Sequence, residues 1–393
     1  MDRNWTDHRK ILEILDVTAF YTRLVTLLTI AIFMASTADA EEFSAKDVLQ
    51  SLDIKERDIK KLEQGEVVTF SGEDYEQSKR ELASDATVLI NKSLDTVLAE
   101  INEQASLIPR SVTQGYQDIE SEADFAGVGF RPTSDREFKE VELLHNLKKG
   151  EDYNLTAAEF ETLTTSLIAT QNGTREEKTE AASVAVRALL LGRYRAYIAN
   201  GLNGIEPYLR GKKSVDISNE LKVTTETLDV VEDLMPDYYY NLQNYPDGAD
   251  CCQQRFRWIK VKLLKRPAFG LTHSTVYKSD DILIITERHF YVTHSLNTMQ
   301  ITVAWLPYEE GTYMGLAMSA QANALDTFMG RVFRGMGRNM AEEMVGDVLV
   351  GIRSELEGEE AADGESMDFI KKEATPTETT AQPEAEQESA AQE

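Results

Sequence analysis

The chain has 393 residues, 42% hydrophobic and 28% charged, with 68 acidic against 41 basic side chains and a formal net charge of -27. Such a length supports a full hydrophobic core and excludes a minimal disulfide-stapled scaffold; the charge argues against nucleic acid or an anionic membrane as partner, since both need clustered Lys and Arg. The two cysteines, Cys251 and Cys252, are adjacent, so they can make only a vicinal ring or separate intermolecular contacts. They read as a free or buried pair, and without a CxxC elsewhere no metal site or cofactor is expected.

In chain order, residues 24–40 (LVTLLTIAIFMASTADA) come first. Their apolar core is about a dozen residues, short of the roughly 20 needed to span hydrocarbon. Arg23 precedes it and the small-residue pattern Ala38-Asp39-Ala40 follows, which reads as a secretory signal cleaved after Ala40. The mature protein then begins at Glu41, periplasmic or secreted, with no stable membrane span.

A helix is expected over residues 45–64, capped by Ser44 and stopped by Gly65, followed by a strand at 66–70. Residues 81–90 read as a strand, and Leu94, Val97, Leu98 and Ile101 continue at helical spacing. Residues 109–132 are rich in turn formers and read as loop with short extended pieces.

The middle, 105–245, reads as a mainly helical insertion or subdomain. Thr156 and Glu159 form a capping-box pattern, and Asn172-Gly173 a stop. A helix over 176–200 shows the stripe Ala181, Val184, Ala188, Leu191, Arg195 and Ile198. Another over 225–244 carries Leu228, Val231, Leu234, Met235 and Tyr239, is interrupted or kinked near Pro236, and precedes a turn at Tyr245-Pro246-Asp247-Gly248. Tyr238, Tyr239 and Tyr240 read as packing residues.

After Arg255 the runs FRWIKVKLL, THSTVY, DILIITERHFYVTHS, MQITVAWLPY and TYMGLAMSA read as successive antiparallel strands. From Leu325, the residues Phe328, Val332, Met336, Met340, Met344, Val348, Ile352 and Leu356 recur every three or four positions, predicting one long amphipathic helix. Arg331, Arg334 and Arg338 share one side of it as a solvated face, with Glu342 placed to pair with Arg338. From Gly358 onward, ending PTETTAQPEAEQESAAQE, the composition is that of a disordered acidic tail.

The predicted class is α+β: a C-terminal antiparallel sheet with a long C-terminal helix, and a large helical N-terminal and middle region. This order resembles the helix-grip fold of START-like and polyketide-cyclase-like lipid-binding proteins, and SDATVLINKSLDTVLAEI resembles their opening strand-helix unit. The resemblance implies an apolar cavity between the sheet and the final helix. WIKVKLLKRPAFGLTHS and ERHFYVTHS are similar to segments of exported bacterial proteins, which implies a periplasmic setting.

The densest polar constellation is His273, Glu287, Arg288, His289 and His294 within the strand-rich block. If 284–293 is one regular strand, Glu287, His289 and Tyr291 face one way and Arg288, Phe290, Val292 and His294 the other; a metal site on both His289 and His294 requires a bulge. His273, Arg288 and His294 are the candidate ligand-binding group, with Arg288 suited to a carboxylate or phosphate. Met336 and Met340 are candidates for cavity lining, since the flexible thioether suits varied apolar ligands. Nothing resembles GxSxG, HExxH or a phosphate loop. The reading is a non-catalytic binder of a hydrophobic small molecule or lipid. The alternatives are a hydrolase or isomerase using His273 or His294 with Glu287, and an envelope module with a protein partner.

Overall fold

The structure, a computed structural model, describes residues 54–71, 76–103, 105–108 and 111–358. The expected leader, the expected helix before Ile54 and the acidic tail beyond Gly358 lie outside the described residues.

Helix α1 (Glu56–Glu63) stops at Gly65, whose φ of 81° is the left-handed geometry glycine supplies. Strands β1 (Val68–Ser71) and β2 (Glu81–Ile90) follow, then α2 (Leu94–Glu100) and β3 (Thr113–Asp118), the last within the stretch read as loop. The middle contains α3 (Asp135–His145), α4 (Ala157–Leu167), α5 (Arg175–Asn200), a small hairpin of β4 (Tyr208–Arg210) and β5 (Lys213–Val215), and α6 (Ile217–Glu226). The helix expected over 225–244 is interrupted at Pro236 as its sequence implies, giving α7 (Asp229–Leu234) and α8 (Pro236–Asn244), with Pro236 in the first turn of α8, where its missing N–H costs nothing. Then come β6 (Gln253–Leu263), β7 (Arg266–Lys278), β8 (Leu283–Val292), β9 (Thr298–Tyr308), β10 (Gly311–Gln321) and α9 (Phe328–Glu357).

The fold is α+β, and its centre is an eight-stranded antiparallel sheet in the order β1-β2-β10-β9-β8-β7-β6-β3. The sheet therefore reaches beyond the C-terminal block: β1 and β2 extend one edge and β3 closes the other.

On one face, alternate residues such as Ala86, Val88, Ile285, Val303, Met314 and Leu316 meet α2 and α9 through Leu94, Val97, Ala341, Val345, Val348, Leu349, Ile352 and Leu356. Met336 and Met340 depart from the expected stripe, at 61% and 64% exposed. Successive four-residue steps drift about 40° round an α-helix, so three steps back from Val348 carry Met336 about 120° off the packed side. Arg334 and Arg338 are not simply solvated: both bond the Glu76 carboxylate, at 3.0 and 2.7 Å.

The opposite face carries the helical middle, which shares one core with the sheet: Val141, Leu163, Val186, Leu190 and Tyr197 pack with Trp258, Phe269, Leu271, Phe290 and Tyr291. Helix α5 starts at a Thr174–Glu177 capping box and turns its Ala182, Val186, Leu189, Leu190, Arg193 and Tyr197 inward. That is a rotation away from the expected stripe, and Val184 is 49% exposed. Both sides of α5 carry apolar residues, and the buried side is marked partly by Arg193 and Tyr197, which hydropathy does not favour. At its end Gly201 has φ 55°, and a Cβ there would sit 1.6 Å from the Tyr245 carbonyl oxygen; only glycine fits beneath the following turn.

Cys251 and Cys252 form a vicinal disulfide, correcting the expectation of a free pair.

Candidate functional site

A cavity of about 870 Å³ opens on the face of the sheet away from α9. Its floor is the alternate residues of β2, β10 and β9, including Ala83, Asp85, Gly315, Ala317, Ser319, Thr302 and Ala304; the walls come from α1 and from α6 with α7. The neighbouring residues of β10, Met314, Leu316 and Met318, point into the core under α9. Strand β10 thus alternates large with small, filling one face and leaving space on the other. The volume lies within the roughly 300–1,000 Å³ typical of small-molecule sites. Val68, Phe70, Val230, Leu234, Ile282 and Leu306 supply apolar wall.

Asp85 lies on this floor, opposite Ala317 in the strand register. Burial pushes its carboxyl up to about 7, against a single opposing hydrogen bond from the Met318 backbone N–H. Tyr313 lies along the same face over Gly315, where an added Cβ would be 2.9 Å from the tyrosine hydroxyl. Burial first, and the charge of Asp85 after it, push that hydroxyl up to about 12 although Thr87 bonds it. At neutral pH Tyr313 therefore keeps its proton and can donate a hydrogen bond on the same floor as Asp85. Glu81, further along β2, is satisfied: it accepts from Ser319 Oγ and from the Gln77 N–H, each at 2.6 Å.

The structure brings together two of the expected ligand-binding residues. His273 and Arg288 are direct cross-strand partners and both reach the Tyr197 hydroxyl, at 2.9 Å from His273 Nδ1 and 3.5 Å from Arg288 Nη1. His273 Nε2 lies 2.6 Å from Gln254 Oε1. Burial, reinforced by the Arg288 charge, holds the imidazole well below its usual range, so it is neutral. Arg288 is 2% exposed and donates to Gln300 Oε1, Thr225 Oγ1 and the Leu242 carbonyl. Gln300 is part of the cavity lining, so the guanidinium sits one layer behind the wall.

His294 stands apart from that pair. It bonds Ser295 Oγ and the Pro267 carbonyl at 2.8 and 3.0 Å and lies 3.8 Å from Glu140, which Arg266 already holds. A bulge does occur in β8: His289, Phe290 and Tyr291 oppose only Leu271 and Thr272. It sends Phe290 and Tyr291 both into the helical-side core, while His289 stays with Glu287 on the other face. Glu287 accepts from Ser106 Oγ, Ser274 Oγ and the Leu107 N–H. Burial pushes its carboxyl up, but the His289 contact, the Arg257 charge and the Leu107 N–H outweigh this and hold it below the usual range. His273 and Glu287 thus lie on opposite faces of the sheet, with no hydrogen bond or ion pair joining them. Met336 and Met340 contribute nothing to the cavity, whose lining among the described residues contains none from α9.

Among the described residues, no three His, Cys, Asp or Glu side chains converge as a metal site, and no helix is long and apolar enough to cross a membrane. No family model, characterised protein or solved structure matches the chain. Sequence reasoning passed over Asp85 and Tyr313. The available signal was the small-residue phase of β10 together with Asp85, a charged residue in the middle of β2.

Proposed function

We propose that this protein is an exported, non-catalytic binder of an amphipathic small molecule, held between the sheet floor and the walls of α1, α6 and α7. The observation that carries the reading is the 870 Å³ cavity floored by small side chains and bordered by apolar ones, with polar groups at a few floor positions and along the α1 and α6–α7 walls. Such a surface offers burial to an apolar body and fixed hydrogen-bonding points to a polar end. Export is supported by the apolar run at residues 24–35 and the Ala38-Asp39-Ala40 pattern. The likeness to helix-grip proteins supports a sheet-floored ligand site; the space, however, lies across the sheet from the final helix, because the α9 side is packed by its own residues.

The test is to express the whole chain with its own leader, recover it from the exported fraction and compare native with denaturing mass spectra. The expected result is a chain beginning at Glu41 with one small amphipathic molecule released on denaturation. A chain that releases nothing and takes up no neutral apolar fluorophore would overturn the reading.

A further inference from the structure

Among the described residues, the fully buried carboxylates on the cavity side of the sheet are provided with partners. Glu220 bonds Arg80 and Asn297, Glu137 bonds Lys260 and Arg131, and Glu140 bonds Arg266 and Tyr153. Asp85 differs: among the described residues its one protein hydrogen bond comes from the Met318 backbone N–H, and its side chain lines the cavity. Building on the amphipathic-ligand reading, we propose that Asp85 anchors a basic nitrogen, and that the ligand class is an amphipathic amine with its ammonium on Asp85 and its apolar part along the wall.

An ionised carboxylate in an apolar recess with one hydrogen bond lacks the compensation that buried charges normally have, and an ammonium supplies both charge and up to three donors. Of the cations on the α1 wall, Arg57 and Lys61 are engaged with Asp58, at 3.1 and 3.3 Å. Among the described residues, the remaining ionisable groups on the lining are Lys55, Glu81, Glu226, Asp229 and Tyr313, so these surroundings lean acidic. A carboxylate or phosphate head would meet Asp85 as a like charge. Arg288, which could have answered such a head, is turned to Gln300, Thr225 and Leu242 instead.

The experiment titrates the full chain calorimetrically at pH 8 with dodecylamine, dodecanol and dodecanoate below their aggregation limits, using wild type and Asp85→Asn. Circular dichroism checks that the variant folds. Wild type should bind the amine at least about tenfold more tightly than either length-matched probe, the scale of one charge-assisted hydrogen bond. Asp85→Asn should lose that preference while keeping its affinity for dodecanol. In wild type alone, amine affinity should also fall between pH 8 and pH 5.5 as Asp85 takes up a proton, with dodecanol unaffected. Equal binding of the three probes, or an amine preference that survives in Asp85→Asn, would overturn the proposal and leave the cavity reading standing. Binding of none would overturn both.

Discussion

On one side of the sheet, Val345, Val348, Leu349, Ile352 and Leu356 of α9 press into Val88, Ile301, Val303, Met314 and Leu316, each at most 4% exposed. On the other side of the same strands, Ala83, Asp85, Gly315, Ala317 and Ala304 stand under an open volume of about 870 Å³. Because successive residues of a strand alternate faces, one run of sequence can be optimised for packing on one side and for space on the other. Stability is concentrated under α9 and the site is built where packing is relaxed.

The contrast is tested most severely by Leu349→Ala. Leu349 is fully buried, and removing its side chain should destabilise the protein by about 4 kcal/mol, read from urea midpoints, because helix and sheet cannot both collapse into the hole. A loss below about 1 kcal/mol would mean the α9 side is loosely packed.

The two unlike carboxylates come next. Glu287→Gln should cost about 3 kcal/mol at pH 7, since the buried partners arranged around the carboxylate would be left mismatched. Its folded-state pKa is depressed from 4.5, so its contribution is present above that value and lost as pH falls through the folded pKa. Asp85→Asn should act in the opposite sense. With the carboxyl raised from 3.8 to about 7, the folded state holds a proton that the unfolded chain has released, so stability falls as pH rises from about 4 to about 7. After discounting for the part of Asp85 open to the cavity, the variant should gain about 2 kcal/mol at pH 8 and nothing at pH 4. Melting curves of wild type and both variants from about pH 3 to pH 8 would show the Glu287→Gln deficit fading only below about pH 4.5 and the Asp85→Asn gain growing between about pH 4 and 7; differences that change together over one window would break the distinction.

Smaller effects sharpen the picture. Ala317→Leu places a larger side chain over Asp85 from the facing strand. It should change stability by less than about 1 kcal/mol, because it grows into open volume, while abolishing uptake of a neutral apolar fluorophore. Met336→Gln, on the exposed side of α9, should stay within about 0.5 kcal/mol and leave uptake unchanged.

Much of the fold was legible from local pattern. The strand at residues 81–90 matches β2, the five β-rich runs became β6 through β10, and the Thr156–Glu159 box starts α4. These signals survive because alternation and capping are written within a few residues. The burial phase of α5 was not legible, since apolar residues surround it and the choice was made by partners such as His273 and Phe290 that stack on or bond Tyr197. The methionine stripe failed because a four-residue repeat does not stay on one face of a helix. The site itself was only half written locally: His273 and Arg288 were read as neighbours and are paired across strands. Asp85 becomes a site residue only when α1, α6 and α7 wall the floor around it, an arrangement that joins segments more than a hundred residues apart.

The most direct measurement is a crystal structure of the exported chain grown with dodecylamine. The expected result is continuous density on the sheet face away from α9, with the nitrogen within hydrogen-bonding distance of Asp85 and the alkyl chain against Leu234 and Leu306. A floor closed over by its own side chains, or the amine lodged between α9 and the sheet, would contradict it.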